Sequence, residues 1–409
     1  MMRKYAELIV KKGLNVQAGQ EVVVSASVES VELCREVAKV AYEVGAKEVI
    51  VAYSDDILSR LRFENCDMDH FDFVPDYLHA LRNQYANRNA CFLTIVSTDP
   101  EALKGIDPLK LQKWSINLRK ACKPFYDSLE DSTNRWCIVG APSRAWANKV
   151  FPDMSNDEAV EALWNAIFKV TRCDKEDPLK EWELHHESFM KRVKVLNDKK
   201  IKTLHYKNSL GTDLTVGLPE GYLFAGGASA TTDGIYNFAN IPTEEVFASP
   251  NKYDVNGIVY SSLPLNYNGN LVDKFYIEFK DGAAVNYGAE VGYDVLKSII
   301  EIDEGAKYLG EVALVPYDSP INNTGILFYN TLFDENASCH LAIGRAFNEC
   351  IENGLEMSKE ELEAKGINSS LTHVDFMIGT ADLSIIATLE DGSEFVIFEN
   401  GNYAGELNY

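Results

Sequence analysis

The chain has 409 residues, too long for a single small core, and its ordinary composition is that of a folded protein with two domains as the default. No run approaches about 18 apolar residues, which excludes a spanning helix, and eight scattered cysteines without a Cys-x-x-Cys pair argue for reduced thiols and against a disulfide framework or thiolate zinc site. The formal net charge of −23 is lopsided: residues 1–205 carry 30 Lys+Arg against 31 Asp+Glu, and residues 206–409 carry 9 against 31, a net −22 that disfavours nucleic acid and anionic membrane as partners.

The opening Met-Met-Arg-Lys-Tyr-Ala-Glu carries charge into a helical pattern over 2–12 and lacks a signal-peptide apolar stretch, so a cytoplasmic location is expected. Glu21–Ser25 is a buried-type strand, 29–45 an amphipathic helix, and Lys47–Tyr53 a second strand. Strand–helix–strand of this length implies a parallel pair with a right-handed crossover. The pattern recurs with a helix near 76–87, strand Ala90–Val96, a helix near 108–124 and strand Arg135–Val139, which predicts a doubly wound α/β domain with a parallel sheet. No glycine-rich phosphate loop follows any strand, so a nucleotide site is unsupported. From 156 to 198 the signal is helical, with prolines 108 and 178 as helix starts.

The boundary is placed at 202/203, giving an α/β domain over 1–202 and a C-terminal metal-binding catalytic domain over 203–409. Beyond it the texture changes to short strands with glycine punctuation: 204–206, 212–216, 257–260 and 275–279. Asp281-Gly282 and Asp391-Gly392 between alternating apolar residues predict hairpins, and helices are expected at 289–303 and 337–353. The second domain is therefore expected to be α+β with mainly antiparallel strands.

Four acidic segments in this half carry the chemistry. In Leu371-Thr372-His373-Val374-Asp375-Phe376 the alternation is that of a strand, so His373 and Asp375 face the same way. Imidazole beside carboxylate is how a protein holds a borderline divalent cation; a solvated pair on an exposed strand is the alternative. Glu335 and His340 bracket the predicted helix start, with Asn336 as cap and His340 one turn inside; an acid there also serves as simple dipole complement. Glu311 opens the apolar strand Val312–Val315, as a ligand or as an ion-pair partner. In Glu244-Glu245-Val246-Phe247 one glutamate must face inward if the segment is a strand. Six or so N/O ligands are too many for one tetrahedral ion and suit two, which points to a two-metal hydrolase. Cys339, beside His340, is expected to be structural, and His70, His79, His185, His186 and His205 to be surface or packing residues.

Together these segments resemble the thermophilic-aminopeptidase family of metallopeptidases, the AmpS/AmpT/PepS group. The matching stretches are Ile241-Pro242-Thr243-Glu244-Glu245-Val246-Phe247, Asp303-Glu304-Gly305-Ala306, Leu309-Gly310-Glu311-Val312, Leu332-Phe333-Asp334-Glu335-Asn336-Ala337 up to His340, and His373-Val374-Asp375. Gly211–Leu218 and, in the first domain, Gly19-Gln20-Glu21 also fit, so the resemblance runs through the whole chain in order. It implies metal ligands at Glu245, Glu311, His340, His373 and Asp375, with Glu335 as a sixth. It also implies short peptides as substrates and a homodimer enclosing an internal cavity.

One position departs from the family pattern, which carries a tyrosine seven residues after the histidine: here it is Phe347. Seven residues is nearly two helical turns, so on a helix that position shares the face of His340. A phenol there could stabilise an oxyanion, and phenylalanine cannot.

Two cations about 3.5–4 Å apart would acidify a water, polarise the scissile carbonyl and anchor the substrate's α-amine. The donor set suits zinc, cobalt, manganese or magnesium. Glu311 is the candidate bridging or base-like residue, and Glu244, if inward, the next. The expected activity is that of a metal-dependent aminopeptidase. The alternatives are a weakly active or non-catalytic metal-binding relative, which Phe347 makes thinkable, and a two-metal phosphoesterase, which nine cations in the whole second half make less apt.

Overall fold

The computed structural model describes residues 1–409, which pack as two compact units: Met1–Glu183 with Ala228–Pro242, and Leu184–Gly227 with Thr243–Tyr409. The 202/203 boundary drawn from sequence falls just inside the strand Ile201–Lys207 that follows a long helix, whereas the packing divides at 183/184 and returns residues 228–242 to the first unit.

In the first unit α1 (Met2–Leu8) leads to β1 (Glu21–Ser27), α2 (Val31–Glu43), β2 (Glu48–Ser54), α3 (Asp56–Asn65), α4 (Asp76–Ala86), β3 (Cys91–Val96), α5 (Pro108–Ala121), α6 (Lys123–Glu130), β4 (Trp136–Gly140), α7 (Arg144–Val150) and α8 (Asn156–Val170). Local chemistry sets the helix starts. Asp55 accepts the Leu58 N–H, Asp107 accepts that of Leu109 ahead of Pro108, and Ser155 with Glu158 forms a capping box. β1 to β4 pair parallel in the order β4-β3-β1-β2, as the strand–helix–strand pattern requires. The helix expected near 108–124 is two helices, and α3 and α7 were not anticipated.

The long helix α9 (Pro178–Asp198) precedes β5 (Ile201–Lys207), β6 (Asp213–Gly217) and β7 (Ala225–Gly226). The chain then supplies β8 (Ser229–Ala230), β9 (Tyr236–Asn237) and β10 (Asn240–Ile241) to the first unit, β10 extending the parallel sheet beside β4. Of the second unit, β11 (Val246–Ala248), β12 (Val255–Tyr260), β13 (Leu265–Tyr267), β14 (Asn270–Lys280), β15 (Ala283–Val291), α10 (Tyr293–Ile300), β16 (Leu309–Leu314), α11 (Thr331–Asp334), β17 (His340–Gly344), β18 (His373–Met377), β19 (Ser384–Leu389), β20 (Glu394–Glu399) and β21 (Asn402–Tyr403) follow. They build a nine-stranded sheet and a five-stranded one of order β18-β17-β16-β11-β7, both antiparallel in their pairings.

Both Asp-Gly hairpins form where expected. At Asp281-Gly282 the two residues take φ 50° and 88°, the left-handed pair that a two-residue hairpin turn needs. All eight cysteines are unpaired, and seven are buried. No helix is long and apolar enough to cross a membrane.

The helix expected over 337–353 does not form. His340-Leu341-Ala342-Ile343-Gly344 is a strand, followed by short turns. The alternation of Leu341 and Ile343 with His340, Ala342 and Gly344 is a two-residue period, and the strand's neighbours on either side decide it. Gly344, at φ 104°, ends it; a Cβ there would meet the Thr372 carbonyl oxygen at 2.2 Å. The helix expected at 289–303 is confined to α10.

Candidate metal centre

Residues opposite each other in a sheet point to the same face, so strand register builds the site directly. Glu311 of β16 lies opposite Ala342 of β17, which lies opposite Asp375 of β18. His340 lies opposite Ala313 and Met377, and His373 opposite Gly344. Phe247 of β11 faces Ala313, which puts Glu245, two residues earlier, on the same side. The small residues Ala313, Ala342 and Gly344 stand between the functional ones and leave room above the sheet. The opposite face carries Val312, Leu314, Leu341, Ile343, Val374 and Phe376 into the hydrophobic core.

The side chains meet as this register dictates. His340 Nε2 lies 3.1 Å from Glu245 Oε2. His373 Nε2 lies 3.1 Å from Glu311 Oε2 and 3.2 Å from Asp375 Oδ1. Two groups have ligand atoms within 4.8 Å of one another: Glu245, Glu311 and His340, and Glu311, His373 and Asp375. Glu311 belongs to both. His373 Nδ1 lies 2.7 Å from the Arg345 carbonyl oxygen. Such a contact fixes the ring and leaves Nε2 for the centre.

Glu335 borders the cluster without joining either group. It opens a short turn after α11, and Asp334 anchors that turn by accepting the Phe328 and Asn330 N–H groups at 2.8 and 2.9 Å. Asn336, fully buried, was expected to cap a helix; instead it ties two ligand-bearing segments. Its Oδ1 accepts the Glu244 N–H at 2.7 Å, and its Nδ2 donates to Leu332 O at 3.0 Å. Glu244 turns to His185 at 3.4 Å, away from the two groups, so its expected role as a second base is not supported by its placement. His185, set aside as a packing residue, is thus paired with an acid; 59 positions separate the two, and no local spacing announces it. Cys339 is structural as expected: burial pushes its thiol up to about 12.

Phe347 reaches the site, but not along a helix. Its ring lies 5.0 Å from that of His373 and 5.4 Å from that of Phe247, forming an apolar wall. Ser249 Oγ accepts the Phe347 N–H at 2.9 Å and donates to its carbonyl at 3.0 Å, holding the residue there.

The electrostatics ask for positive charge. Burial raises Glu311 to about 7, and the charges of Glu245 and Asp375 add to the rise. Burial, with Asp375 and Glu245, also holds Glu335 well above the ordinary carboxylate range. Burial alone would lower His340, yet its bond to Glu245 and the surrounding carboxylates raise it to about 10. His373 is raised likewise against burial, chiefly by Asp375. Asp375 Oδ1 is buried, and the His373 ring at 3.2 Å is its charged neighbour. Carboxylates crowded in a dry pocket around two imidazoles fit a divalent cation, which would take over the positive charge that the protonated rings otherwise supply.

A parallel α/β unit joined to an antiparallel unit whose sheet face gathers buried carboxylates and imidazoles is the architecture of a metalloenzyme. The chain belongs to the thermophilic metalloprotease (M29) family, whose profile matches residues 1–403. It is 44% identical over 404 residues to Aminopeptidase 2 of Geobacillus stearothermophilus, covering 99% of this chain and 98% of that one. It is 45% identical over 403 residues to aminopeptidase AmpS of Bacillus subtilis, covering 98% of both. The solved structure of wild-type AmpT from Thermus thermophilus superposes with a TM-score of 0.92 at 39% identity over 99% of both chains. This protein is therefore a metal-dependent aminopeptidase.

Proposed function

We propose that Glu245, Glu311, His340, His373 and Asp375, with Glu335 beside them, hold two divalent cations (zinc, cobalt, manganese or magnesium), and that residues 203–409 form the catalytic domain. The membership of Glu311 in both ligand groups carries this reading. Cations held there would supply an acidified water and a polarised scissile carbonyl. Glu311, between the two groups, is the carboxylate that takes the proton from water and passes it to the leaving amine. The acidic face receives the α-ammonium of a short peptide, which makes free N-termini the preferred substrates. The aromatic wall of Phe247 and Phe347 excludes water on one side and offers the carbonyl no phenol, which supports a slower or narrower enzyme than one with tyrosine at that position. A cytoplasmic homodimer completes the reading, supported by the family resemblance and the unpaired thiols.

Metal analysis combined with turnover of leucine p-nitroanilide before and after chelation tests the centre. Loss of activity on chelation and its return with about two metal equivalents per chain is the expected result; full turnover by metal-free protein would overturn it. Equal cleavage of N-acetylated and free peptides would remove the α-ammonium step.

A further inference from the structure

The parallel sheet of the first unit has two unlike faces. On one, Val22, Val24, Leu93, Ile95 and Val139 are all 4% exposed or less, covered as a parallel sheet requires. On the other, burial decays along the strands. Val23 and Phe92 are buried, Ser25 and Ile138 partly so, and Thr94, on a central strand, is exposed. The helices over that face cover it loosely: α4, α5 and α6 fully bury one residue between them, Ala86. Leu81 and Phe125 pack against the small cluster of Val23, Ala86, Ala90 and Phe92, and together with Trp114 and Leu118 they line a cavity of about 470 Å³ over the rest of the face. That volume suits a small ligand.

The cavity's position and lining say what fits. Strand order places β2 and β3 on opposite sides of β1, so the winding across the parallel sheet reverses between β1 and β3. In open α/β sheets this switch point, at the carboxyl ends of the strands, is where ligands bind. Ser25 and Thr94, paired across that point near the ends of β1 and β3, both line the cavity and offer hydroxyls. Tyr77, Trp114, Phe125 and Trp136 supply flat aromatic walls. Arg82 is the single charged residue of the lining, its guanidinium 5.6 Å from the Phe125 ring centroid, and no carboxylate is present. The half of the chain that carries the cavity is near neutral, unlike the half with net −22, so it does not repel an anion.

We propose that this cavity is a second ligand site, distinct from the metal centre, that takes a planar aromatic molecule bearing one anionic group. The ring lies among the aromatic walls, Arg82 receives the anion, and Ser25 and Thr94 accept or donate the remaining hydrogen bonds.

The test uses the full-length enzyme and 3-phenylpropionate, with its neutral amide as control. Displacement of 1-anilinonaphthalene-8-sulfonate and quenching of tryptophan emission report binding, since Trp114 and Trp136 line the cavity. Saturable binding of the acid at one site per chain is expected, with Arg82→Met weakening it about tenfold. Thr94→Trp, which fills the cavity from an exposed position, should abolish it, and Glu311→Gln should leave it unchanged. The proposal is overturned if the acid does not bind, if acid and amide bind alike, or if Glu311→Gln removes binding as Arg82→Met does. A cavity covered by a second copy of the chain would give the first of these outcomes.

Discussion

The parallel sheet of the first unit and the five-stranded antiparallel sheet of the second each bury one apolar face, and they use the other face in opposite ways. The first offers hydroxyls and aromatic rings over a cavity with a single cation. The second crowds acids and imidazoles into a buried cluster. A dry cluster of like charges is costly unless something compensates it, whereas an aromatic cavity lined by a single cation carries no such repulsion. The integrity of the second site should therefore depend on a cation, and that of the first on packing alone.

The largest expected effect separates chemistry from packing. Glu311→Gln keeps the shape of the side chain and removes the carboxylate common to both ligand groups. It should lower kcat by about 10³-fold, the scale of a lost general base, with an unchanged circular dichroism spectrum. Leu93→Ala, at a 1% exposed position of β3, should cost about 2–5 kcal/mol of stability by leaving a cavity. Its kcat per folded molecule should hold steady. If Leu93→Ala depressed kcat as strongly as Glu311→Gln, the division of labour between the two sheets would fail.

Chelation tests the same division thermodynamically. A ligand at about 1,000 times its Kd stabilises the folded state by about 4 kcal/mol, so removing the cations should lower Tm by several degrees. The loss should be larger than for Arg82→Met, which leaves the metal centre intact.

The two sheets were also unequally legible. Strands β1 to β4 are apolar runs separated by helical periods, and composition alone locates each within a few residues. The site sheet is harder, because its strands are short and one face is polar. His373-Val374-Asp375 shows its alternation plainly. His340-Leu341-Ala342-Ile343-Gly344 has the same alternation, but three small or functional residues weaken it, and a helix was the expectation. The strand state is selected by pairing with β16 and β18, which lie distant in sequence. Asn336 was legible as a capping type and not as a tie to Glu244, since that bond spans 92 positions.

Asn336→Ala tests that tie. It removes the acceptor of the buried Glu244 N–H and should weaken cation affinity about tenfold or more, as loss of a group that orients ligands does. Asn336→Asp, which keeps the acceptor, should restore most of it. Titration calorimetry reads both, and equal affinities in all three proteins would make Asn336 a packing residue only.

Proton release gives a finer measure. His340, at about 10, and His373, raised well above its usual value, hold protons at neutral pH in the cation-free protein. Coordination needs them neutral, so cation binding should release about two protons from the imidazoles, joined below about 7 by that of Glu311, and tighten as pH rises from 6 toward 9. The sign follows from imidazoles raised by neighbouring carboxylates; were they depressed, affinity in this window would be flat. Calorimetry in buffers of unlike ionisation enthalpy counts the protons.

The smallest effect is expected at Phe347, where the sequence reading expects a tyrosine. The Phe347 ring packs at 5.0 Å on His373 and is only partly buried, so its edge has space for a hydroxyl. Phe347→Tyr adds a donor beside the ligand cluster without displacing the Ser249 bonds, which engage only the backbone of residue 347. The rate on leucine p-nitroanilide should therefore stay level or rise severalfold, with cation affinity unchanged. A rise would show that the aromatic wall lacks an oxyanion donor that the added phenol supplies. A level rate would mean that another group already fills that role. A large fall, with normal cation content, would mean instead that the wall of Phe247, Phe347 and His373 is packed tightly enough that one oxygen displaces the imidazole, and the second sheet would then depend on packing as strictly as the first.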